Sequence, residues 1–443
     1  MDVIALFPLL KLDLFNISAI IITLSALFGY INIRWLKLPT TIGLMVVAIL
    51  FSIVLFISSL INPGLNDFAE RIIGSIDFEH VVLDVMLGYL LFAGAMHTNF
   101  DQLKVQRWPV IVFSTLGVIT STFLVAGASF YLFGMLGLDI AFIHCLLFGA
   151  LISPTDPIAV LGILKSAGVP KKLETKIVGE SLFNDGVGVV VFLTIMGIAT
   201  GGTGHGTDHG DGGTGLGDIA MLFGQEVIGG IIFGAVIGWI TFRLLKSIDD
   251  YDIEVLITLA CVTGGYALAH YFGLSAPLAM VVAGLIVGND TVRGTAMSET
   301  TEQYVDKFWE LMDILLNAIL FVLIGLELII LDFQSQFVVA GIICIVLVLV
   351  CRYLSLILPV RFFRDKLDFV PNTATIMTWG GLRGGISIAL ALSLPPEMNR
   401  ELIITVTYAV VIFSIIVQGL TVGKLATKLI GEEQMELDLK DGH

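Results

Sequence analysis

Charged residues are scarce in this chain: they make up 14% of its 443 positions, whereas apolar residues make up 56%. A soluble protein of this length does not need so much apolar sequence to fill its core, which excludes a soluble globular fold. Ten-residue segments of alternating polarity are also missing, which excludes a membrane barrel. The apolar runs are instead long enough for helices to cross a bilayer, and they predict an integral, all-α membrane protein.

Cysteine is also rare, and its positions exclude two further classes of protein. The chain has four cysteines, each inside an apolar run and none in a CxxC pair: Cys145, Cys261, Cys344 and Cys351. This pattern argues against a disulfide framework and against a zinc site, so we expect packing roles. The amino terminus has no basic stretch before its apolar residues, so no cleaved signal peptide is expected. With a net charge of -15, nucleic acid is not an expected partner.

The apolar runs predict about thirteen transmembrane helices. They start near residues 15, 40, 78, 108, 140, 171, 218, 252, 274, 303, 336, 370 and 400. With this count, eighteen Lys and Arg residues fall on one side of the membrane and three on the other. Because basic loops stay in the cytoplasm, the amino terminus is predicted outside and the carboxyl terminus inside.

Two interrupted segments suggest an inverted repeat. The fifth predicted helix contains ISPTDPIAV (152–160), and the twelfth contains TWGGLRGGISIAL (378–390). They occupy matching places in two six-helix units, about 15–200 and 252–430, which enter the membrane in opposite orientations. Discontinuous helices in such repeats bracket the midplane site of many secondary transporters. One integral transporter domain is therefore expected, with a Gly/His-rich loop (200–217) and the seventh helix as linker, and a short tail (431–443).

The PTDP segment offers a cluster of oxygen ligands. Pro154 and Pro157 remove two backbone donors and free carbonyl groups beside Thr155 and Asp156. Hard oxygen ligands suit a small cation. A proline kink in which Asp156 caps the following half-helix is the alternative.

The sixth predicted helix contains the strongest candidate, Asp185, near its middle. Glu180 and Asn184 share one face of this helix with Ser181 and Asp185, because each pair is spaced i,i+4. A carboxylate inside the bilayer is costly, about 3 kcal/mol by insertion scales, and is functional by default. It can hold a proton or a metal cation but not both, and this competition would couple two opposite fluxes. A structural ion pair is the alternative for Asp185.

Arg383 in the twelfth predicted helix keeps its charge and needs a buried partner. Glu180 is the expected partner, and this pair would be mainly structural, because it would tie the sixth helix to the broken one. Glu310 and Asp313 could line an acidic cytoplasmic funnel, or could be interfacial groups. Asp84 and His270 are expected to be satisfied polar residues of the core or of a cavity.

These motifs together resemble the monovalent cation/proton antiporters, in the Na+/H+ exchanger branch that includes the NhaP proteins. The resemblance is carried by SPTDP (153–157), GESLFNDGVGVV (179–190), HYFGLSAPLAMVVAGLIVGN (270–289), FWELMDILLNAILFVLIGLE (308–327) and GGLRGGIS (380–387). It implies thirteen helices in an inverted repeat with helices 5 and 12 crossing near the midplane, a homodimer, and a core domain that moves against a dimerisation domain.

The resemblance also implies the chemistry. Asp185 would exchange Na+ or Li+ for H+, assisted by Thr155, Asp156 and Ser181, with these ions as substrates and no cofactor. Asn184 matches the electroneutral branch, which implies one cation for one proton. Glu180 and Arg383 fall on positions that hold two helices together. A prokaryotic inner membrane is the expected location.

Other activities remain open at this stage. A K+/H+ antiporter would have the same fold. A cation channel would favour rings of carbonyl groups over one buried acid. An intramembrane aspartyl protease is suggested by YD (251–252) and GLGD (215–218), but the two motifs stand in reversed order, and Asp218 and Asp252 are predicted at opposite membrane edges.

Overall fold

The computed structural model describes residues 14–61, 78, 80–98, 105–156, 164, 169, 171–200, 216–289, 294, 297–329, 334–364 and 372–430. Throughout these ranges the regular structure is helical, which confirms the all-α prediction. Pro157, the loop 201–215 and the tail 431–443 lie outside the described residues, so the expectations for them stay predictions.

The described helices follow the predicted apolar runs closely. They are α1 (Leu14–Ile31), α2 (Thr40–Ile61), α3 (His80–Met96), α4 (Arg107–Met135), α5 (Phe142–Ile152), α6 (Lys171–Ala199), α7 (Leu216–Leu245), α8 (Tyr251–Tyr271), α9 (Ala276–Val287), α10 (Glu299–Glu327), α11 (Ser335–Arg364), α12 (Thr373–Trp379), α13 (Gly385–Leu392) and α14 (Arg400–Ile430). Eight helices in the described ranges are long and apolar enough to cross a membrane. The count of thirteen crossings stays a prediction.

Several helices begin where the sequence supplies a capping side chain. Asp250 accepts a hydrogen bond from the backbone N–H of Ile253 at the start of α8. Ser275 caps α9 in the same way, and Ser298 caps α10. These oxygens satisfy donors that have no partner in the first helical turn. α9 has only 12 residues, about 18 Å at the usual rise, so the ninth helix is short, as predicted.

The two predicted interruptions meet in the interior. α5 ends at Ile152 and residues 153–156 continue without regular secondary structure, whereas residues 380–384 separate α12 from α13. The backbone N–H of Asp156 donates to the carbonyl oxygen of Leu382 at 2.7 Å. Each break therefore satisfies part of the hydrogen-bonding capacity that the other loses, which is how unwound backbone is tolerated at membrane depth.

The described helices pack as two bundles, and helices of the same bundle contact each other more extensively than helices of different bundles. The first bundle, which we call bundle A, contains α1, α2, α3, α7, α8, α9 and α10. Bundle B contains α4, α5, α6, α11, α12, α13 and α14. Between them, α6 packs on α7 and α9, and α13 packs on α3 and α10. The two interrupted segments thus belong to one bundle and face the other.

Candidate ion-binding site

Three polar side chains form a hydrogen-bonded cluster where α6 passes the break after α5. The Asn184 Oδ1 atom accepts from the backbone N–H of Thr155 at 3.1 Å, and its Nδ2 atom donates to Thr155 Oγ1 at 2.8 Å. The Thr155 hydroxyl also lies 2.8 Å from Ser181 Oγ. All three residues are buried. Asn184 therefore replaces the helical partner of a backbone donor, and it fixes the position of the break against α6.

Two carboxylates line a small cavity beside this cluster. The cavity has a volume of about 40 Å³, and both Asp156 and Asp185 contribute to its wall. Asp185 is only 5% exposed, and within the described ranges its carboxylate makes no hydrogen bond. A space of this volume holds one or two water-sized particles. Two hard oxygen donors around such a space can bind a small, largely dehydrated cation or a proton.

The cavity lies at the boundary between the two bundles. Leu87, Gly94 and Asn317 line it from bundle A, whereas Asp156 and Asp185 line it from bundle B. Thr155, Ser181 and Asn184 do not reach its surface and instead lie behind the carboxylates. The predicted site residues at the end of α5 and on α6 therefore lie close together. The two carboxylates face the cavity, and the three uncharged residues lie behind them.

Glycines allow the broken backbone to approach its neighbours closely. A Cβ atom on Gly188 would overlap the ring of Pro154. A Cβ atom on Gly384 would lie 2.5 Å from Asp156 Oδ2, closer than non-bonded atoms can approach. A larger residue at either position would displace the segment that carries Asp156.

Arg383 binds the break in α5 and does not pair with Glu180. Its Nη1 atom donates to the carbonyl oxygens of Ser153 and of Pro154, the latter at 2.6 Å. Its own backbone N–H donates to Ser414 Oγ at 2.9 Å. These are the carbonyl groups that lose helical partners where α5 ends. A buried guanidinium thus replaces those partners and connects the two breaks.

Glu180 forms a buried ion pair with Arg352 on α11. The predicted pairing of Glu180 with Arg383 is therefore wrong. Two buried arginines, Arg352 and Arg383, compete for one carboxylate in this region, and the sequence does not show which is closer. Glu180 still ties α6 to another helix, but that helix is α11 and not the broken twelfth predicted helix.

Sequence reasoning also missed Asn317. This residue lines the cavity from α10, and its Nδ2 atom donates to Asp313 Oδ1 at 3.0 Å. An amide one turn after an acid in the same helix, Asn317 after Asp313 in ELMDILLN, was the available signal. Asp313 is half-buried and lies one turn from the cavity-lining Asn317, whereas Glu310 is exposed and pairs with Lys307 at 2.8 Å. The two acids therefore differ in their surroundings.

Asp84 and His270 do not lie in the core, which corrects that part of the expectation. Asp84 is exposed and contacts His80 Nδ1 at 2.6 Å, and His270 is exposed as well. The four cysteines are buried and unpaired, in agreement with packing roles.

Residues 22–428 match the family model described as "Sodium/hydrogen exchanger, transmembrane". The chain belongs to the sodium/hydrogen exchanger family. Membership agrees with the resemblance carried by SPTDP and GESLFND, and it covers both broken segments.

Relatives of this exchanger-family chain extend over almost its full length. It is 49% identical over 426 residues to the Na+/H+ antiporter NhaP of Pseudomonas aeruginosa, covering 95% of this chain and 98% of that protein. It is 33% identical over 405 residues to the Na+/H+ antiporter NhaH of Halobacillus dabanensis, covering 89% and 93% of the two chains.

The fold of this family member is also found in a solved structure. It is similar to the sodium proton antiporter MjNhaP1 of Methanocaldococcus jannaschii, with a TM-score of 0.71, 21% identity, and coverage of 94% of this chain and 98% of that one. At this identity the likeness shows the fold alone, and it confirms the predicted all-α, polytopic fold.

Proposed function

We propose that this protein is a secondary antiporter that exchanges Na+ for H+ across the membrane. One observation carries the proposal: two carboxylates, Asp156 and Asp185, line a small buried cavity where two broken helices meet at a bundle boundary. Its relatives NhaP and NhaH are named as Na+/H+ antiporters, which supports Na+ and H+ as the substrates of this protein.

Asp185 is the group for which the two substrates compete. Its carboxylate is nearly enclosed and makes no hydrogen bond within the described ranges, so a bound ion would be its main partner. Because one carboxylate cannot hold a proton and a cation together, release of one ion on each side permits binding of the other. Opposite fluxes are then coupled, provided that the site opens to the two sides of the membrane in turn.

The remaining site residues have distinct proposed roles. Asp156 shares the cavity wall and would contact the cation directly. Thr155 and Ser181 could add hydroxyl oxygens to the cation after a small rotation, while Asn184 holds the break in place. Asn184 carries no titratable group, which supports one-for-one, electroneutral exchange of Na+ or Li+ for H+. Arg383 and the pair of Glu180 with Arg352 stabilise the surrounding helices.

The assembly and location are also proposals. Basic residues on one side support a multi-pass protein of the inner membrane with its amino terminus outside and its carboxyl terminus in the cytoplasm. The family resemblance supports a homodimer.

The test compares two Asp→Asn variants in proteoliposomes that contain a pH-sensitive dye. Addition of Na+ or Li+ should dissipate a preset pH gradient in wild-type vesicles, but not in Asp185→Asn vesicles. Asp252→Asn is the matched control, because Asp252 is exposed and lies at the start of α8. It should keep wild-type exchange.

Each result has a defined reading. Exchange retained by Asp185→Asn would remove Asp185 from its role, and wild-type response to K+ alone would favour a K+/H+ antiporter. A steady ionic current carried by the wild-type protein would favour a channel. A wild-type protein that gives no response to any cation would leave the protease alternative open, and loss of exchange in Asp252→Asn would show that the assay does not separate Asp185 from an exposed acid.

A further inference from the structure

A second, larger cavity lies where the end of α10 in bundle A meets bundle B, which supplies the rest of its helical lining. Its volume is about 610 Å³. The cavity lies at helix ends that the distribution of Lys and Arg residues places on the outer side of the membrane. We call it the outer cavity. Its lining includes apolar residues such as Phe337, Leu392 and Leu402, and two opposite charges, Glu327 and Arg400.

The two charges belong to different bundles. Glu327 is the last residue of α10 in bundle A, and Arg400 is the first residue of α14 in bundle B. Both line the outer cavity, yet no ion pair within 4.0 Å joins them among the described residues. The Arg400 Nε atom is buried without a hydrogen-bond partner. A guanidinium and a carboxylate held apart in this way are less stable than the same groups in contact.

Each charge is fixed to its own bundle, and the bundles touch below the cavity. Next to Arg400, the Asn399 side chain contacts His144 Nδ1 at 2.8 Å and the Asp139 carbonyl at 3.3 Å, which ties α14 to the start of α5. One turn before Glu327, the carbonyl of Ile324 accepts from the Tyr408 hydroxyl at 3.3 Å. A rotation of one bundle against the other about that contact would change the Glu327–Arg400 distance, because Glu327 and Arg400 lie about one and two helical turns away from it.

We propose that Glu327 and Arg400 form an outer latch, which pairs across the boundary when the outer cavity closes and separates when it opens. The proposal rests on the proposed antiport, because exchange at a single site requires that the two sides open in turn. Asp139 and Glu401 also border the cavity and are exposed, so water screens their charges. The latch would set how long the site stays closed to the outside, without contacting the transported ion.

The first test is a crosslink. In a variant whose four buried cysteines are replaced by alanine, Glu327→Cys and Arg400→Cys are introduced together and oxidised with copper phenanthroline. If the cavity closes as proposed, a disulfide forms, exchange is lost, and a reductant restores it. The single-cysteine variants should not lose exchange on oxidation. The absence of a disulfide while both thiols react with an impermeant maleimide, or a disulfide that leaves exchange unchanged, would overturn the latch.

The second test swaps the two charges between positions 327 and 400, so that each position still carries an ionised side chain. Glu327→Arg and Arg400→Glu should each slow Na+-driven exchange by at least about fivefold, and the double variant should recover most of the loss. Thr405→Cys, a cavity-lining position, reports opening: its labelling from outside should speed up in each single variant and return towards normal in the double variant. Additive losses in a correctly folded double variant would refute the latch.

If wild-type vesicles show no exchange, the proposed function fails, whereas the crosslink and labelling still test closure.

Discussion

Polar residues around Asp185 divide at the residue scale into those that face the cavity and those that hold them. Asp156 and Asp185 are on the cavity wall, and Thr155 lies behind them with hydrogen bonds to Asn184 and Ser181. Because Thr155 connects α5 to α6, loss of its hydroxyl affects the geometry of the carboxylates without removing either one. The division predicts which substitutions change affinity and which abolish exchange.

Thr155→Val should weaken cation binding while the protein still folds. Valine keeps the shape and the backbone hydrogen bond to Asn184 Oδ1, but it removes the hydroxyl partner of Asn184 Nδ2 and of Ser181 Oγ, which costs about 1–3 kcal/mol. We expect the KM for Na+ to rise about fivefold or more in a dye-quenching assay. Thr194→Val is the control, since its hydroxyl only bonds Val190 on the same helix. An unchanged KM would mean that Thr155 does not position the site.

The Glu180–Arg352 pair should stabilise the fold only as a pair. Glu180→Gln leaves a buried guanidinium without its counter-charge, which costs about 3–5 kcal/mol. We expect a clearly lower Tm in detergent, and a partial recovery in Glu180→Gln with Arg352→Gln. A single variant with the wild-type Tm would contradict the buried pair.

At the scale of elements, the two interrupted helices depend on each other. The break after α5 receives a hydrogen bond from Arg383 in the other break and donates one to Leu382. α6 approaches the first break closely because it carries Gly188 there. Neither interrupted segment would keep this geometry alone, since each supplies partners for the backbone groups of the other.

Gly188→Ala should disturb the site although it alters no polar group. The added methyl group overlaps the Pro154 ring, so α6 and the break must separate, at a cost of about 1–3 kcal/mol. We expect a lower Tm and slower exchange. Gly127→Ala on α4 meets open space, and it should leave both quantities unchanged or slightly raise the Tm. Equal behaviour of the two variants would argue against this close contact.

At the scale of the whole molecule, both cavities lie where bundle A meets bundle B. The small cavity contains the carboxylates, and the outer cavity contains Glu327 and Arg400. Contacts within each bundle outweigh those between them, so relative displacement of the bundles costs less than deformation of either one. Such a boundary is suited to open a central site to one side at a time.

Exchange by the whole protein should be insensitive to membrane potential. If one Na+ replaces one H+ at Asp185, no net charge crosses in a cycle. Clamping the potential with valinomycin and K+ at several K+ gradients should therefore leave the initial rate of Na+-driven proton movement unchanged. A strong dependence on potential would contradict one-for-one exchange and would require a second titrating group, for which Asp156 is the first candidate.

Much of this organisation could be predicted from local features of the sequence. Apolar run lengths predict the helices, because backbone groups in lipid must be satisfied within each segment. Proline and glycine predict the interruptions in SPTDP and GGLRGG, and the i,i+4 spacing correctly places Glu180, Ser181, Asn184 and Asp185 together. The capping residues Asp250, Ser275 and Ser298 mark helix starts for the same local reason.

Pairing across helices was decided only by the tertiary structure. Arg383 binds the carbonyls of Ser153 and Pro154, and Glu180 pairs with Arg352, although the sequence predicted Arg383 as its partner. The cavity position of Asn317 and the separation of Glu327 from Arg400 likewise depend on how distant helices pack. Sequence spacing determines which residues share a helix face, but only the packed arrangement determines which face meets which, because distances between helices are not encoded in any local period.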